Sequence, residues 1–190
     1  MPYIPLEDHL PGITGLLEYR KDSGQPIREL TQVLMRGPSS LTEGERELIA
    51  SVVSNGNQCT FCSTAHTATA DLLIGDHETS QKVKQDIATA PVSEKMKALL
   101  EIASLTRISG KSVTEESIEK AKGAGATDIE IHDTVLIAAL FCMYNRYVDG
   151  MATSLPKEES YYEVLAERLV NYGYMRLPQG YDHLKKENKK

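Results

Sequence analysis

The stretch TEGERELIASVVSNGNQCTFCSTAH, residues 42 to 66, reads as two helices joined by a tight turn. Thr42 and Glu45 have the T-x-x-E spacing of a capping box, in which each side chain satisfies a backbone N–H left free at the start of a helix. Leu48, Ile49, Val52 and Val53 follow at helical intervals, and Asn55-Gly56-Asn57 is a turn signal. A second helix is predicted from Cys59 to Leu73, ending at Gly75.

The same periodicity extends in both directions, and no run of period-two alternation is long enough to predict a strand. Upstream, helices are predicted over Ile13 to Tyr19 and Pro26 to Met35, the latter stopped by Gly37-Pro38. Downstream, a polar helix is expected over Ser80 to Ala88. Ser93 caps another that carries Met96, Leu99, Leu100, Ala103 and Leu105. Thr114 opens a short helix ended by Gly123-Ala124-Gly125. A second capping box, Thr127 with Glu130, opens a long helix to about Val148 that is apolar nearly all round, a core or subunit-interface pattern. An amphipathic helix over Ser160 to Val170 precedes a lysine-rich tail, read as a solvating end. The fold class is therefore all-α. Its 190 residues read as one helical domain, core about 12–150, followed by a C-terminal helix and tail over 151–190. The similar openings at Thr42-Glu43 and Ser93-Glu94 hint at a degenerate duplication of a helical hairpin.

Chemistry concentrates in the opening stretch. Cys59 and Cys62 are three residues apart, and Cys62 and His66 four, so all three lie on one face of a helix. Cys59 falls in the first turn, where free N–H groups and the helix dipole favour a thiolate. His66 is placed to take a proton from Cys62, and the two sulfurs can close a CxxC disulfide. Glu47, on the preceding helix, can fold back beside His66 to orient it and accept its proton. A zinc site on Cys59, Cys62 and His66 needs a fourth ligand or an open position, and no second CxxC or HxxxH follows. No metal or cofactor is expected.

The segments E-R-E-L-I-A at 45–50 and S-x-x-N-x-C-x-x-C-x-x-x-H from Ser54 to His66, with a later Asn145-Arg146 pair, resemble the alkylhydroperoxidase D-like, carboxymuconolactone decarboxylase superfamily, and in it the branch of peroxidase-related enzymes. The resemblance runs from about Gly12 to Gly150. It implies an all-helical fold in a homo-oligomer (trimer, hexamer or dimer) and a peroxidase that uses no haem or metal. Cys62 would be the peroxidatic thiol, deprotonated through His66 and Glu47. Cys59 would resolve its sulfenic acid, and an external dithiol would reduce the disulfide. One departure stands out: the best-studied branch has a second relay histidine between the cysteines, where this chain has Phe61.

Two other readings compete. A decarboxylase or lactone-processing enzyme of the same superfamily would need acid–base groups and no cysteine pair. A non-enzymatic redox sensor would use the disulfide to alter an interface. Other residues are expected to be structural. Cys142 lies in an apolar run, and Asn57 is a turn residue. Asn145 and Arg146 would pair with an acid such as Asp149 to fix helix packing. His132 beside Asp133 is a candidate for the missing relay histidine. His9, His77 and His183 are expected at the surface.

Composition narrows the partners. A net charge of −6 leaves no basic stripe for phosphates, so no nucleic-acid or anionic-membrane partner is expected. The longest apolar stretch, Val135 to Tyr144, falls well short of the roughly 20 residues of a membrane span. The N-terminal MPYIPLEDHLPG has neither the basic nor the apolar region of a secretory signal, so a cytoplasmic location is expected.

Overall fold

The computed structural model describes residues 1–181; His183 and the lysine-rich tail lie outside the described residues. Among the described residues there are nine α-helices and no strand: α1 (Ile13–Tyr19), α2 (Lys21–Arg36), α3 (Glu43–Gly56), α4 (Thr60–Ile74), α5 (Glu78–Gln85), α6 (Glu94–Ile108), α7 (Glu115–Gly123), α8 (Asp128–Gly150) and α9 (Glu159–Tyr172). A short 3-10 turn at Gly110–Ser112 links α6 to α7. No helix among them is long and apolar enough to cross a membrane.

The helix starts follow local chemistry. Thr42 and Thr127 each form a complete capping box with the glutamate three residues on, and Ser93 accepts from the Met96 N–H. Gly75 takes the left-handed conformation that ends α4. Two boundaries differ from expectation. α2 begins at Lys21, five residues before Pro26, because the Arg20 carbonyl already accepts from the Gly24 N–H and the Asp22 carboxylate from the Ser23 N–H. Pro26 so close to the start removes a single helical bond, and the helix absorbs it. α5 begins at Glu78 because Asp76 accepts from the N–H groups of Glu78 and Thr79.

α3 and α4 form a hairpin at the centre. α4 is covered by α9, while α3 leans on α6 and α8. Leu48, Ile49, Val53, Leu99, Leu100, Ile102, Ile137 and Phe141, all buried, make the main core between α3, α6 and α8. A second apolar cluster sits under α9 and the N-terminal segment, and its centre is Leu16, Cys59, Phe61, Cys62, Ala65, Val148 and Tyr162. The cysteines are therefore a structural part of this smaller core, at the seam between the hairpin and the two ends of the chain.

Candidate active site

Glu47 lies on the inner face of α3 and is completely buried. Its Oε2 is 2.6 Å from His66 Nδ1, which reaches across from α4. Its Oε1 accepts from Arg36 Nη2 at 2.7 Å and from the Tyr174 hydroxyl at 2.5 Å. Burial alone would push this carboxyl up. His66, Arg36 and Tyr174 together outweigh that and hold it below the ordinary carboxylate range. Burial likewise opposes the charge on Arg36, and Glu47, with Tyr174 beside it, more than restores it. Tyr174 is pushed well above the ordinary phenol value, first by burial and then by Glu47, so it remains a hydroxyl donor. An ionised Glu47 makes Nδ1 the donor of the His66 ring and leaves Nε2 as its acceptor.

His66 lines a cavity of about 70 Å³ whose walls are mostly apolar, among them Ile27, Phe61, Phe141, Leu165 and Leu169. The imidazole meets the Phe141 ring edge-on, centroids 4.5 Å apart. Neither cysteine lines this cavity. Phe61 and Ala65 belong both to its wall and to the cluster around the sulfurs.

Cys59 is the N-cap of α4, which starts one residue later than predicted, and the Cys59 N–H donates to the Ser54 carbonyl. The residue before it, Gln58, has φ +61°, a left-handed conformation that a side chain rarely adopts and that aims Cys59 into the helix start. Both sulfurs are buried, Cys59 at 0 % and Cys62 at 3 % exposure. Hydrogen bonding from Cys62 pulls the Cys59 thiol below its ordinary value against the cost of burial. The same interaction, with burial, pushes Cys62 up, while Asn145 pulls it the other way. Of the two thiols, Cys59 is therefore the more readily deprotonated in the reduced pair.

The structure joins Glu47 to His66 and keeps Cys59 with Cys62 in one cluster, as the spacing predicts. The subsidiary expectations fare differently. Asn145 is not paired with Asp149. It is buried, donates to Ser54 Oγ at 3.0 Å and accepts from Asn57 Nδ2 at 2.8 Å, so it ties α8 to the turn before Cys59. Arg146 caps nothing acidic and donates to the Cys142 carbonyl on its own helix. His132 is exposed and bonds its neighbour Asp133, outside the site. His9, expected at the surface, is half-buried in a hollow beside α9, whereas His77 is exposed. Cys142 is half-buried, with Asn57 Nδ2 3.5 Å from its sulfur. Among the described residues, no group of three or more His, Cys, Asp or Glu side chains is arranged to hold a metal ion.

Residues 22–84 match the model of the Carboxymuconolactone decarboxylase family. The chain is 24 % identical to a peroxidase-related protein with an alkylhydroperoxidase AhpD core from Ralstonia eutropha JMP134, with a TM-score of 0.73 over 82 % of this chain and 80 % of that one. A peroxidase-related protein from Silicibacter sp. TM1040 is 25 % identical, with a TM-score of 0.73 over 80 % and 78 % of the two chains. The fold is therefore that of these peroxidase-related structures, and residues 22–84 carry the match to the Carboxymuconolactone decarboxylase family. No curated protein matches it. The stretch matched by the family model contains Arg36, Glu47, both cysteines and His66. Tyr174, Asn145 and the cavity walls from α8 and α9 lie beyond it, and no local sequence signal marks Arg36 or Tyr174 as partners of Glu47.

Proposed function

We propose that this protein is a thiol-dependent peroxidase that reduces hydroperoxides through Cys59 and Cys62. The observation that carries this reading is the placement of two mutually polarised thiols, one at a helix N-cap, a turn from a histidine locked to a buried carboxylate. In the first step a thiolate of the pair attacks the terminal oxygen of ROOH. The O–O bond breaks, the cysteine becomes a sulfenic acid, and a proton is delivered to the departing alkoxide to make ROH. The second thiol then displaces the hydroxyl as water and closes the Cys59–Cys62 disulfide. An external dithiol returns the pair to the reduced state.

The family resemblance assigns attack to Cys62, with His66 and Glu47 as its proton relay, and resolution to Cys59. A second reading reverses the two sulfurs, and the readier deprotonation of Cys59 favours it. Either order requires substrate to pass Phe61 or the cover formed by α9, because the thiols are sealed from the cavity that His66 lines.

The test is peptide mapping by mass spectrometry after one equivalent of tert-butyl hydroperoxide. The intact chain is expected to yield a Cys59–Cys62 disulfide that dithiothreitol reverses. Cys59→Ser is expected to trap a dimedone-reactive sulfenic acid on Cys62. A sulfenic acid found only on Cys59 in Cys62→Ser establishes the reversed order. Undiminished hydroperoxide loss in the double Cys→Ser variant overturns the thiol mechanism in favour of acid–base chemistry by Glu47 and His66.

A further inference from the structure

Tyr174 reaches Glu47 from the far end of the chain, on a segment that leaves α9 and turns back over α2. Three attachments hold this strap. The Tyr174 N–H donates to Gln32 Oε1 at 2.7 Å, Arg176 Nε bonds both Glu18 oxygens at 3.0 Å, and the Tyr181 hydroxyl accepts from Arg28 and Arg168. Gly173 makes the turn at φ +65°, where a Cβ would also overlap the Gln32 amide. The phenol ring is held on two sides, nearly parallel to the His66 ring at 6.3 Å and 5.0 Å from the Arg36 guanidinium. Its hydroxyl is 2.5 Å from Glu47 Oε1 and 3.5 Å from His66 Nδ1.

A carboxylate has two oxygens to share, and here the sharing is asymmetric. Oε1 receives Arg36 and Tyr174, while Oε2 faces only the imidazole. The resemblance calls for a second relay histidine, and Phe61 occupies its place with no proton to give. We propose that Tyr174 is the positioning residue of the Glu47–His66 pair, supplying from the C-terminal strap the orienting hydrogen bond for which Phe61 has no substitute. This rests on the proton relay proposed above. Tyr174 moves no proton itself, because a buried phenol beside a carboxylate stays protonated. It occupies Oε1 and leaves Oε2 to hold His66 through Nδ1, so the carboxylate fixes the orientation of the ring and leaves Nε2 unengaged by it.

The other charged or titratable groups around the cluster include Arg28 and Arg36 from α2, Glu43 and Arg46 from α3, Cys59 and Cys62 at the start of α4, Tyr144 from α8 and Arg168 from α9. Arginine and buried tyrosine side chains do not change charge near neutrality. The Cε1–H resonance belongs to the His66 ring, so its change with pH is read at that residue.

The experiment follows the Cε1–H resonance of His66 against pH in the reduced, full-length protein, assigned with His66→Asn, in the parent and in Tyr174→Phe. Losing one donor makes Glu47 a stronger acceptor, so the titration midpoint is expected to rise by about half a unit to one unit in Tyr174→Phe. The pH profile of cysteine oxidation by tert-butyl hydroperoxide should move the same way. A midpoint that stays in place or falls while circular dichroism matches the parent overturns the proposal, since a purely structural tyrosine would lower thermal stability alone. Should Tyr174→Phe fail to fold, Gln32→Leu loosens the strap without touching Glu47. It must raise the midpoint by a smaller amount, and an unmoved midpoint overturns the proposal equally. The titration uses no peroxide, so it reads the positioning role even if hydroperoxide is not the substrate.

Discussion

Two buried glutamates, Glu47 in α3 and Glu130 in α8, show how similar local settings diverge. Both lie in a helix opened by a threonine capping box, both are almost fully enclosed, and both are held below the ordinary carboxylate range. Glu130 is itself the box residue. It accepts from the Thr127 N–H and from Lys95 and Ser40, which draw it down to about 2 against the cost of burial. None of those partners changes charge near neutrality, so the group fastens α8 to α6 and to the chain before α3. Glu47 lies two residues beyond its box, and one of its three partners is an imidazole that lines a cavity. A buried carboxylate becomes a candidate for chemistry through what it is bonded to, and burial by itself does not distinguish the two.

The comparison can be broken at several levels. The largest effect is expected on turnover. Glu47→Gln should slow hydroperoxide loss by about 100-fold or more, the scale of a lost proton relay, whereas Glu130→Gln should stay within about twofold of the parent. Equal losses would mean that Glu47 is only another fastening. Urea unfolding gives the next contrast. Glu47→Gln removes the buried partner of Arg36 and leaves it only the partly exposed Glu43 as a counter-charge, which should cost about 3 kcal/mol, while Glu130→Gln, with Lys95 partly exposed, should cost about 1 to 2 kcal/mol.

Acid titration of stability sharpens the pair further. The Glu130 carboxyl is depressed on folding, so its contribution is complete above its unfolded value near 4.5 and is lost as the pH falls toward about 2. Parent and Glu130→Gln stabilities should converge across that window, and a constant gap would show that the charge is not what Glu130 contributes. The smallest effect concerns the caps alone. Thr42→Ala and Thr127→Ala should each cost about 1 kcal/mol by thermal unfolding, and a marked excess for Thr127→Ala would show that burial of its box partner Glu130 strengthens that cap.

Much of this architecture was legible in the chain because it depends on neighbours in sequence. The capping boxes, the Gly75 stop and the break at Asn55-Gly56-Asn57 involve residues within one turn of each other, and all of them form. The Cys59, Cys62 and His66 spacing is of the same kind, and the Glu47–His66 contact follows from folding one hairpin. The misplacements also have local causes. Proline favours the first helical position and so points to a start at Pro26, yet bonds at Arg20 and Asp22 already begin α2 five residues earlier. Asn145 was assigned to Asp149, one turn away, but its partners Ser54 and Asn57 sit on another helix and its turn.

The sequence by itself determined an all-helical chain and a face carrying two thiols and a histidine, because helix geometry converts residue spacing directly into direction. Only the tertiary structure decided what Glu47 is bonded to, which thiol is the more acidic and what buries the pair. Those properties depend on Arg36, Tyr174, Asn145 and the cover of α9, which chain folding brings together from distant positions. Charge states inside a protein are set by such neighbours and by the loss of water around them, and neither is written in a local pattern.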